Sequence, residues 1–390
     1  MSYQVDVAVI GAGIVGLAAA LAMTLRGFSV ALIDADSLII NSLKPEARVY
    51  ALNQASQELL QGLGVWEHLD LSRLASYQQI YVWDAASGKH IEFDARIIAK
   101  DSLGLIIEES ALKQALVKAI DGAKTLKTFA NTKINQIKSA ANSISISGEN
   151  FSLDAQLLMI ADGGNSPCRQ LLTIPVNSWS YHQEAVVALV ATEKPHQKTA
   201  YQVFNSDGPL AFLPMSDEKL CSIVWSTTPA NAKQLMALSD EAFNQRLTQA
   251  FAAKLGEAKV QGKRIRFPLT MRHVQQYTGA RWLLLGDAAH TIHPLAGLGL
   301  NVGLADVAVW LKCFDKGKNE LNAKKILGAY QRERKHAVWQ VIAMMGGLKT
   351  LFANPLPPII ALRGFGLELC NRFSPIKRLF IEQAIGKKLR

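Results

Sequence analysis

The first 34 residues carry the feature that most restricts the fold of this chain. An apolar stretch, Tyr3–Ile10, predicts a strand that runs directly into the glycine-rich turn GAGIVG at residues 11–16. The small-residue segment Leu17–Arg26 predicts a helix, and Ser29–Ile33 predicts a second strand that ends at Asp34. A strand, a GxGxxG turn, a helix and a strand in this order predict a parallel βαβ unit of the dinucleotide-binding type.

The glycines and the acidic residue of this unit have distinct expected roles. Gly11 permits the tight turn, Gly13 lets a pyrophosphate approach the backbone, and Gly16 lets the helix pack closely on the strand. Asp34 follows at the spacing at which an acidic residue accepts hydrogen bonds from a ribose hydroxyl. The glycine turn alone is a weak signal, but the strands, the spacing and the acid together predict a Rossmann-like domain.

A second aspartate follows a strand at a glycine turn in the middle of the chain. The apolar run Ala155–Ile160 leads into ADGGNSPCR at residues 161–169. Asp162 is expected to make a second contact on the ribose side of the dinucleotide. However, Ser166 and Pro167 are well placed as the N-cap and first residue of a helix. A capped turn without any ligand explains the segment equally well.

The third motif lies between residues 282 and 301. Trp282–Leu285 predicts a buried strand that ends at Gly286-Asp287, and Gly297-Leu298-Gly299 opens a helix that continues through Val309. Asp287 is expected to accept hydrogen bonds from a sugar hydroxyl. The N–H groups at Gly299–Asn301 are expected to point at an electron-rich ring edge. The alternative is an ordinary strand, loop and helix without a ligand.

Between the second and third motifs the pattern changes to short alternating strands, with a helix capped by Ser239 at Asp240–Leu255. Tyr77–Phe93 alternates in the same way and predicts a hairpin. The other strand-like segments are Glu184–Thr192, Ala200–Phe204, Leu210–Met215, Leu220–Thr227 and Arg264–His273. Four of their large side chains either line a ligand pocket or belong to the core. They are Tyr201, Phe212, Met215 and Trp225.

These patterns predict an α/β fold in which a mainly-β domain is inserted into a Rossmann-like domain. The nucleotide-binding domain is expected to be discontinuous and to comprise residues 1–75, 100–175 and 275–320. Residues 76–99 and 176–274 are expected to form the substrate-binding β-sheet domain. Residues 321–390 are expected to form a basic, helical C-terminal segment, with a long helix at Leu321–Leu351.

The positive charge of the chain is concentrated in this C-terminal segment. The net charge is +10, and residues 312–390 hold 16 lysines and arginines against five acidic residues. No nucleic-acid-binding module accompanies these charges, so nucleic acid is not expected as a partner. After Ser374-Pro375, apolar and basic residues alternate at helical spacing. Such a helix binds a membrane surface, docks on another enzyme or packs on its own domain. A homo-oligomer is left open.

The cysteines and histidines indicate the compartment and argue against a metal site. The four cysteines are scattered and form no C-x-x-C pair, which predicts a reducing cytoplasm. Peripheral attachment to the inner face of a membrane is compatible with this location. His290 and His293 have no cysteine or acidic ligands at zinc spacing, so no metal is expected and a structural role is favoured for both.

The three glycine and aspartate motifs together resemble the fingerprints of the group A flavoprotein monooxygenases, which share the para-hydroxybenzoate hydroxylase fold. The resemblance implies an FAD cofactor, with Asp162 in the family's DG motif and Asp287 in its GD motif. It also implies that Arg48 lies between the pyrophosphate and the flavin, and that the Pro294 carbonyl faces the substrate hydroxyl. The implied cofactor-binding residues are Gly11, Gly13, Ile14, Gly16, Asp34, Arg48, Asp162, Asp287, Gly299, Leu300 and Asn301.

Further segments resemble the ubiquinone-biosynthesis hydroxylases over essentially the whole chain. They are GDAAHTIHPLAGLGLN at 286–301, EES at 108–110, DGPLAFLP at 207–214 and LPP at 356–358. The implied activity is FAD-dependent hydroxylation of the ring of a polyprenylated phenol or benzoquinol, with O₂ and NAD(P)H as co-substrates. NAD(P)H is expected to bind transiently, since the sequence offers it no second Rossmann unit.

Other functions remain open at this stage, and three residues depart from the family pattern. The chain is alternatively a flavin-binding accessory subunit of a membrane-associated quinone-biosynthesis complex, a hydroxylase of a different phenol, or a flavin-dependent reductase of prenyl double bonds. Leu298 stands where the family usually has Gln, Asp34 where it often has Glu, and Glu109 where an amide is more usual. Glu109 is expected to add negative charge near FAD.

Overall fold

The predicted α/β architecture is confirmed by a computed structural model, which describes residues 2–38, 45–292, 297–317 and 320–386. The strands, in chain order, are β1 (Ser2–Ile10), β2 (Val30–Ile33), β3 (Val49–Leu52), β4 (Leu74–Tyr77), β5 (Gln79–Asp84), β6 (His90–Asp94), β7 (Gly104–Glu108), β8 (Leu126–Phe129), β9 (Ile134–Ser139), β10 (Ile144–Gly148), β11 (Phe151–Ile160), β12 (Val176–Thr192), β13 (Thr199–Asn205), β14 (Gly208–Pro214), β15 (Leu220–Thr227), β16 (Ala258–Val274), β17 (Thr278–Gly279), β18 (Trp282–Leu284) and β19 (His290–Thr291). The helices are α1 (Ile14–Thr24), α2 (Gln54–Gly62), α3 (Glu109–Ile120), α4 (Pro167–Leu171), α5 (Pro229–Ala237), α6 (Asp240–Ala250), α7 (Leu298–Lys316), α8 (Lys324–Ala353), α9 (Pro357–Arg372) and α10 (Ser374–Ala384).

A mainly parallel sheet brings the three glycine motifs to one edge. Its strand order is β17-β18-β11-β1-β2-β8, and the pairs from β18 through β8 are parallel. Ile10 at the end of β1 is paired with Ile33 of β2 and with Ile160 of β11, and Leu284 of β18 is also paired with Ile160. The turns that follow these four strands therefore lie side by side at the carboxyl edge, where open α/β sheets bind ligands.

The central strands of this sheet are apolar along their length because both of their faces are buried. Val7, Ala8 and Val9 have no exposed surface, and all of β2 is buried. Helix α1 consists of small and aliphatic residues, and it packs against α3 and α7. Burial on both faces is typical of parallel strands, and it explains why the sequence pattern here is continuous rather than alternating.

The second sheet is mainly antiparallel, and its two faces pack differently. The strand order is β19-β16-β12-β15-β14-β13-β5-β6, with β13 and β5 paired in parallel. One face packs on α5 and α6, where the rings of Phe212 and Phe251 stack with centroids 3.7 Å apart. The other face packs in part against α7 and α8. The predicted hairpin is confirmed as β5 and β6, and β19 joins this sheet from the third motif. Strands β3, β7 and β4 form a small third sheet.

Three predicted boundaries in this region are wrong. The strand expected to begin at Glu184 begins at Val176, since β12 and β16 pair over most of their length. The helix expected at Asp240–Leu255 ends at Ala250, because Ala252 and Ala253 adopt left-handed conformations with φ of 52° and 47°. The strand expected to begin at Arg264 begins at Ala258, because it pairs with β12 along nearly its whole length. Strand pairing and a turn conformation, both set by the tertiary structure, decide these boundaries.

The C-terminal segment is helical, as predicted, and folds back onto the rest of the protein. The long predicted helix is α8, which packs along α7, while α9 packs against β6. Ile381 of α10 and Ile385, directly after this helix, are almost completely buried, whereas Leu379 and Phe380 are 49% and 43% exposed. This helix therefore packs on its own chain and still leaves apolar side chains at the surface. Within the described ranges, no helix has the length and apolar character needed to cross a bilayer.

Candidate functional site

Residues of all three motifs border one cavity of about 1150 Å³. The second sheet and helices α8 to α10 supply most of its other walls. Small-molecule pockets usually have volumes of roughly 300–1,000 Å³, so this cavity can hold part of a dinucleotide together with a second ligand. The motif residues at its border are Gly13, Ile14, Val15, Ala161, Gly163, Leu285, Gly286, Asp287, Thr291, Ile292, Gly297, Leu298, Gly299, Leu300 and Asn301.

Close backbone contacts require glycine at two positions of the first motif. At a third position, the space beside the backbone is open. Gly11 has a φ of +101°, and a Cβ there would lie 2.3 Å from the carbonyl oxygen of Ala161. A Cβ on Gly16 would lie 1.8 Å from the carbonyl oxygen of Gly11. Gly13, the N-cap of α1, has no such neighbour within 4 Å. The N–H groups at the start of α1 are therefore accessible to an anionic group such as a pyrophosphate.

Asp34 holds the glycine turn in place. Its carboxylate accepts hydrogen bonds from the backbone N–H groups of Ala12 and Asp36, the latter at 2.8 Å. The residue lies beside the turn and does not itself border the cavity. A carboxylate offers about four lone-pair positions, so two backbone bonds leave capacity for a ribose hydroxyl. The position of Asp34 thus fits the role that the resemblance implies.

Asp162 points into its own turn. One carboxylate oxygen accepts a hydrogen bond from the N–H of Cys168 at 3.0 Å, at the start of α4. The other oxygen is buried and has no hydrogen-bond partner among the residues that the structure describes. The neighbouring Ala161 and Gly163 border the cavity instead. A capped turn explains the protein contact of Asp162, and the unpartnered oxygen leaves one acceptor position for a bound group.

Arg169, for which the sequence indicated no role, connects the second motif to the third. Its buried guanidinium donates hydrogen bonds to the carbonyl oxygens of Ala288 at 2.9 Å and Gly164 at 2.8 Å. Burial lowers the pKa of Arg169, and the nearby Asp162 opposes this effect. Because one side chain bridges both turns, it fixes their separation at the border of the cavity.

Asp287 presents its carboxylate to the cavity. The residue is accessible from the cavity, while protein atoms enclose it on the remaining sides. This burial raises the pKa of Asp287, and the charges of His290, Arg48 and Arg272 only partly offset the effect. A partly desolvated carboxylate with few donors gains from additional hydrogen bonds, and the hydroxyl groups of a sugar chain can donate them.

An ion pair at the cavity explains one departure from the family pattern. Nε of Arg48 lies 2.7 Å from Oε2 of Glu109, and both residues border the cavity. The negative charge of Glu109 is therefore compensated by Arg48. The Arg48 side chain is 67% exposed, so its guanidinium keeps N–H groups that can reach a second anionic group. The pair explains how a carboxylate is accommodated where an amide is usual.

The start of α7 presents its backbone to the cavity. The Asn301 side chain does not compete for these backbone groups, because its polar atoms are hydrogen-bonded to other residues. Oδ1 of Asn301 accepts hydrogen bonds from the N–H of Asn53 at 2.9 Å and from the Ser56 hydroxyl at 2.8 Å. Its Nδ2 donates to the carbonyl oxygen of Ala51 at 2.7 Å. Leu298 packs into the apolar cluster between the second sheet and α8, which explains a leucine where Gln is usual. The first N–H groups of a helix lack intrahelical acceptors, so this turn can bind a ring edge.

The second sheet and the C-terminal helices make the far part of the cavity apolar. Side chains of alternate residues on β12, β14 and β15 face it, and α8 adds further apolar side chains. The apolar residues of these elements at the cavity are Val187, Pro209, Ala211, Leu213, Val224, Val341, Met344, Met345, Leu348, Leu351 and Phe352. Such a wall excludes water and favours an apolar ligand.

Of the four large side chains left open between the pocket and the core, three belong to the core. Tyr201 borders the cavity, but Phe212 and Trp225 lie on the opposite face of the sheet, in the core formed with α5 and α6. Met215 is buried in a separate cluster with residues of α10. Side chains alternate between the faces of a strand, and the neighbouring Ala211 faces the cavity instead of Phe212.

The substrate-side predictions fall partly outside the described residues. Pro294 and His293 lie in the stretch 293–296, which the structure does not describe. His290 is buried, and its Nε2 lies 2.8 Å from Oδ2 of Asp306. This contact fits the structural role that is predicted for His290.

Two polar residues at the cavity were not identified from the sequence. Arg272 and Thr291 are paired across β16 and β19, and both border the cavity. The Thr291 hydroxyl is buried and has no hydrogen-bond partner in the described part of the chain. An arginine in the short, more apolar stretch at the end of β16, next to Met271, was the signal available in the sequence.

Comparisons with known proteins agree with this geometry. Residues 4–345 match a family model described as FAD binding domain. The chain is 31% identical to 3-demethoxyubiquinol 3-hydroxylase of Escherichia coli (strain K12), with 98% of each chain covered. It is 30% identical to ubiquinone hydroxylase UbiL of Rhodospirillum rubrum over 98% of this chain and 89% of the relative. The crystal structure of p-nitrophenol 4-monooxygenase PnpA from Pseudomonas putida DLL-E4 has the same fold, with a TM-score of 0.81, 18% identity, and 99% and 98% of the two chains covered. The cofactor is therefore FAD.

The substitution Asp287→Asn tests the contact between this residue and FAD. Loss of a charged acceptor is expected to weaken FAD binding about tenfold or more, the usual effect of losing a hydrogen bond to a charged group. The raised pKa of Asp287 means that the folded apoprotein disfavours the charged carboxylate at pH values above that pKa. We therefore also expect apo Asp287→Asn to unfold at a higher temperature than apo wild type at pH 7.

Fluorescence titration with FAD and thermal unfolding of the apoprotein measure the two effects. Asp36→Asn, at an exposed acidic residue after the first motif, is the matched control and should change neither quantity. Wild-type FAD affinity in Asp287→Asn would contradict the assignment.

Proposed function

Because the chain belongs to the FAD-dependent aromatic monooxygenases of the ubiquinone-hydroxylase family, we propose that it hydroxylates the ring of a polyprenylated phenol or benzoquinol in ubiquinone biosynthesis. The observation that carries this proposal is one cavity with two chemically different parts. The three motifs border one part, and an apolar wall encloses the other. A ring with a long apolar tail matches that division, and the E. coli relative is named for a demethoxyubiquinol.

The motif residues are proposed to hold FAD along the carboxyl edge of the parallel sheet. The start of α1 faces the pyrophosphate, Asp34 and Asp287 accept from ribose and ribityl hydroxyls, and Arg48 lies between the pyrophosphate and the flavin. The backbone at the start of α7 faces the pyrimidine edge of the flavin. The proposed FAD-binding residues are Gly11, Gly13, Ile14, Gly16, Asp34, Arg48, Asp162, Asp287, Gly299, Leu300 and Asn301.

The protein's contribution to the reaction is positioning and the exclusion of water. Bound FAD supplies the redox chemistry that activates O₂, and each turnover consumes O₂, NAD(P)H and a proton and yields the hydroxylated ring, water and NAD(P)⁺. The apolar side chains of β14, β15 and α8 keep water from the ring. Arg272 and Thr291 offer hydrogen bonds that orient a ring hydroxyl, and the Pro294 carbonyl is proposed to accept from the same group.

The activity is tested with the purified FAD-bound protein and a prenylated benzoquinol. NAD(P)H oxidation is expected to be stimulated at least tenfold by the ring substrate, because flavoprotein hydroxylation couples reduction to substrate binding. Mass spectrometry should show one atom of ¹⁸O from ¹⁸O₂ in the product. A ring without tail at matched concentration serves as the control for nonspecific stimulation.

Two outcomes would overturn the proposed activity. Full FAD occupancy with no substrate-dependent NAD(P)H oxidation would favour an accessory subunit. Substrate-dependent turnover without oxygen incorporation would favour the reduction of prenyl double bonds.

We further propose that α9 and α10 attach the protein to an anionic membrane surface. Phe365 on α9 and Phe373, the C-cap of this helix, are 64% and 54% exposed, and Leu379 on α10 is 49% exposed. Lys377 and Arg378 accompany them on α10. Basic residues beside exposed apolar side chains are the combination that binds a bilayer interface, and a polyprenylated substrate resides in the bilayer.

Liposome cosedimentation of the double variant Phe373→Ser/Leu379→Ser tests the membrane proposal. Each buried apolar side chain contributes roughly 1.5–3 kcal/mol, so binding to phosphatidylglycerol vesicles is expected to fall at least tenfold. Leu25→Ser/Leu71→Ser, at exposed leucines on other elements, is the control and should bind as wild type. Equal losses in both double variants, or no wild-type binding, would count against a membrane surface and favour a partner enzyme.

A further inference from the structure

A buried ion pair joins the C-terminal helices to the second sheet. Nε of Arg363, on α9, donates to Oδ2 of Asp84 at 2.9 Å, and its NH2 group donates to Oδ1 at 3.0 Å. Asp84, at the end of β5, is fully buried, and Arg363 is 6% exposed. Burial alone would raise the pKa of Asp84, but hydrogen bonds from Arg363 and Ser87 outweigh it, so this pKa lies below its usual value.

The same guanidinium also caps the C-terminal end of helix α8. Its NH1 group donates to the carbonyl oxygens of Leu351 at 3.0 Å, Phe352 at 2.9 Å and Asn354 at 2.9 Å. The last carbonyl groups of a helix have no intrahelical donors, so one side chain satisfies groups that would otherwise be left unpaired. Arg363 thus fixes the end of α8, the position of α9 and the distance of both from β5.

Helix α9 forms part of the opening of the cavity. Leu362 and Phe365 border the cavity and are 62% and 64% exposed, so they lie where the cavity meets the surface. Phe380 of α10 and Leu351 of α8 also border the cavity and are 43% and 37% exposed. The opening is therefore lined by apolar residues from three helices. In the sequence of α9, Arg363 lies between two of them, Leu362 and Phe365.

We propose that this opening binds the isoprenoid tail of the substrate, and that Asp84 and Arg363 are positioning residues that hold α9 in place for it. The inference rests on the proposed hydroxylation of a prenylated ring. A buried ion pair contributes little net stability compared with apolar packing, but its bidentate geometry fixes orientation. A helix that borders a passage for a flexible apolar chain needs that orientation, because a small shift of α9 would close or widen the passage.

The variants Arg363→Lys and Asp84→Asn test the positioning role. Lysine keeps the charge but loses the planar, bidentate fork, and asparagine keeps the shape but loses the charge. We expect KM for a ring with a geranyl or longer tail to rise about tenfold in each variant, while kcat changes little. KM for the same ring without a tail and the affinity for FAD should stay within about twofold of wild type.

Lys89→Ala provides a matched control for the ion pair. Lys89 lies in the turn between β5 and β6, and its Nζ lies 2.9 Å from Oε2 of Glu368 on the same helix, α9. This pair joins the same elements but is partly exposed, and exposed ion pairs contribute little. The control should retain wild-type KM for every tail length. Equal KM changes for tailed and tail-free rings in Arg363→Lys would overturn the positioning role.

The variant Phe365→Ser tests the opening without touching the ion pair. Its side chain is mostly exposed, so the fold should tolerate the change even if Arg363→Lys fails to fold. We expect kcat/KM to fall about tenfold for a geranyl-substituted ring and to stay unchanged for the tail-free ring. Leu71→Ser, at an exposed leucine away from the cavity, is the control. Loss of activity on both rings, or on neither, would contradict a tail-binding opening.

The inference fails separately from the proposed function. If wild type hydroxylates no ring of any tail length, the proposed function is wrong. If wild type hydroxylates both rings and the variants do not discriminate between them, the activity stands and the tail-binding opening is wrong.

Discussion

The candidate site depends on one buried carboxylate, Asp306 of α7. Its Oδ2 accepts hydrogen bonds from the N–H of Gly286 at 2.7 Å and contacts Nε2 of His290 at 2.8 Å, while Oδ1 accepts from Nε of Arg334 at 2.6 Å. Burial alone would raise the pKa of Asp306, but His290 and Arg334 outweigh it and lower this pKa. Removing one partner from such a pair typically costs about 3–5 kcal/mol. The GD turn, α7 and α8 are thereby held as one unit around the cavity.

Because the contacts of Asp306 hold these elements in fixed positions, the two parts of the cavity can differ chemically and still lie next to each other. The carboxyl edge of the parallel sheet supplies backbone N–H groups and Asp287, as a flavin nucleotide requires. The second sheet and α8 supply an apolar wall, and α9 is fixed at its far end by Arg363. Each part is built from elements distant in sequence, and buried ionic contacts at Asp306 and Asp84 set their relative positions.

The features that were predictable from the sequence are those that depend on local backbone requirements. Gly11 is needed for a positive φ and Gly16 for its contact with the Gly11 carbonyl in the same turn, so their spacing, together with the flanking strands and Asp34, indicated the βαβ unit. The contacts of Arg169 and Arg363 were not predictable, because their partners are long-range and a lone arginine carries no positional signal. The facing of Phe212 could not be decided from the sequence for a related reason: alternation shows that a strand has two faces, but the packing of α6 decides which face is the core.

The most direct test of the account is a crystal structure of the purified protein with FAD. A single FAD is expected, with its pyrophosphate at the start of α1 near Gly13. Its ribityl chain should lie beside Asp287, and its pyrimidine edge should face the backbone of residues 299–301. The face of the flavin ring should be open to the apolar part of the cavity. An FAD bound elsewhere, or one whose ring lies away from the start of α7, would contradict the claim that three distant motifs enclose one flavin.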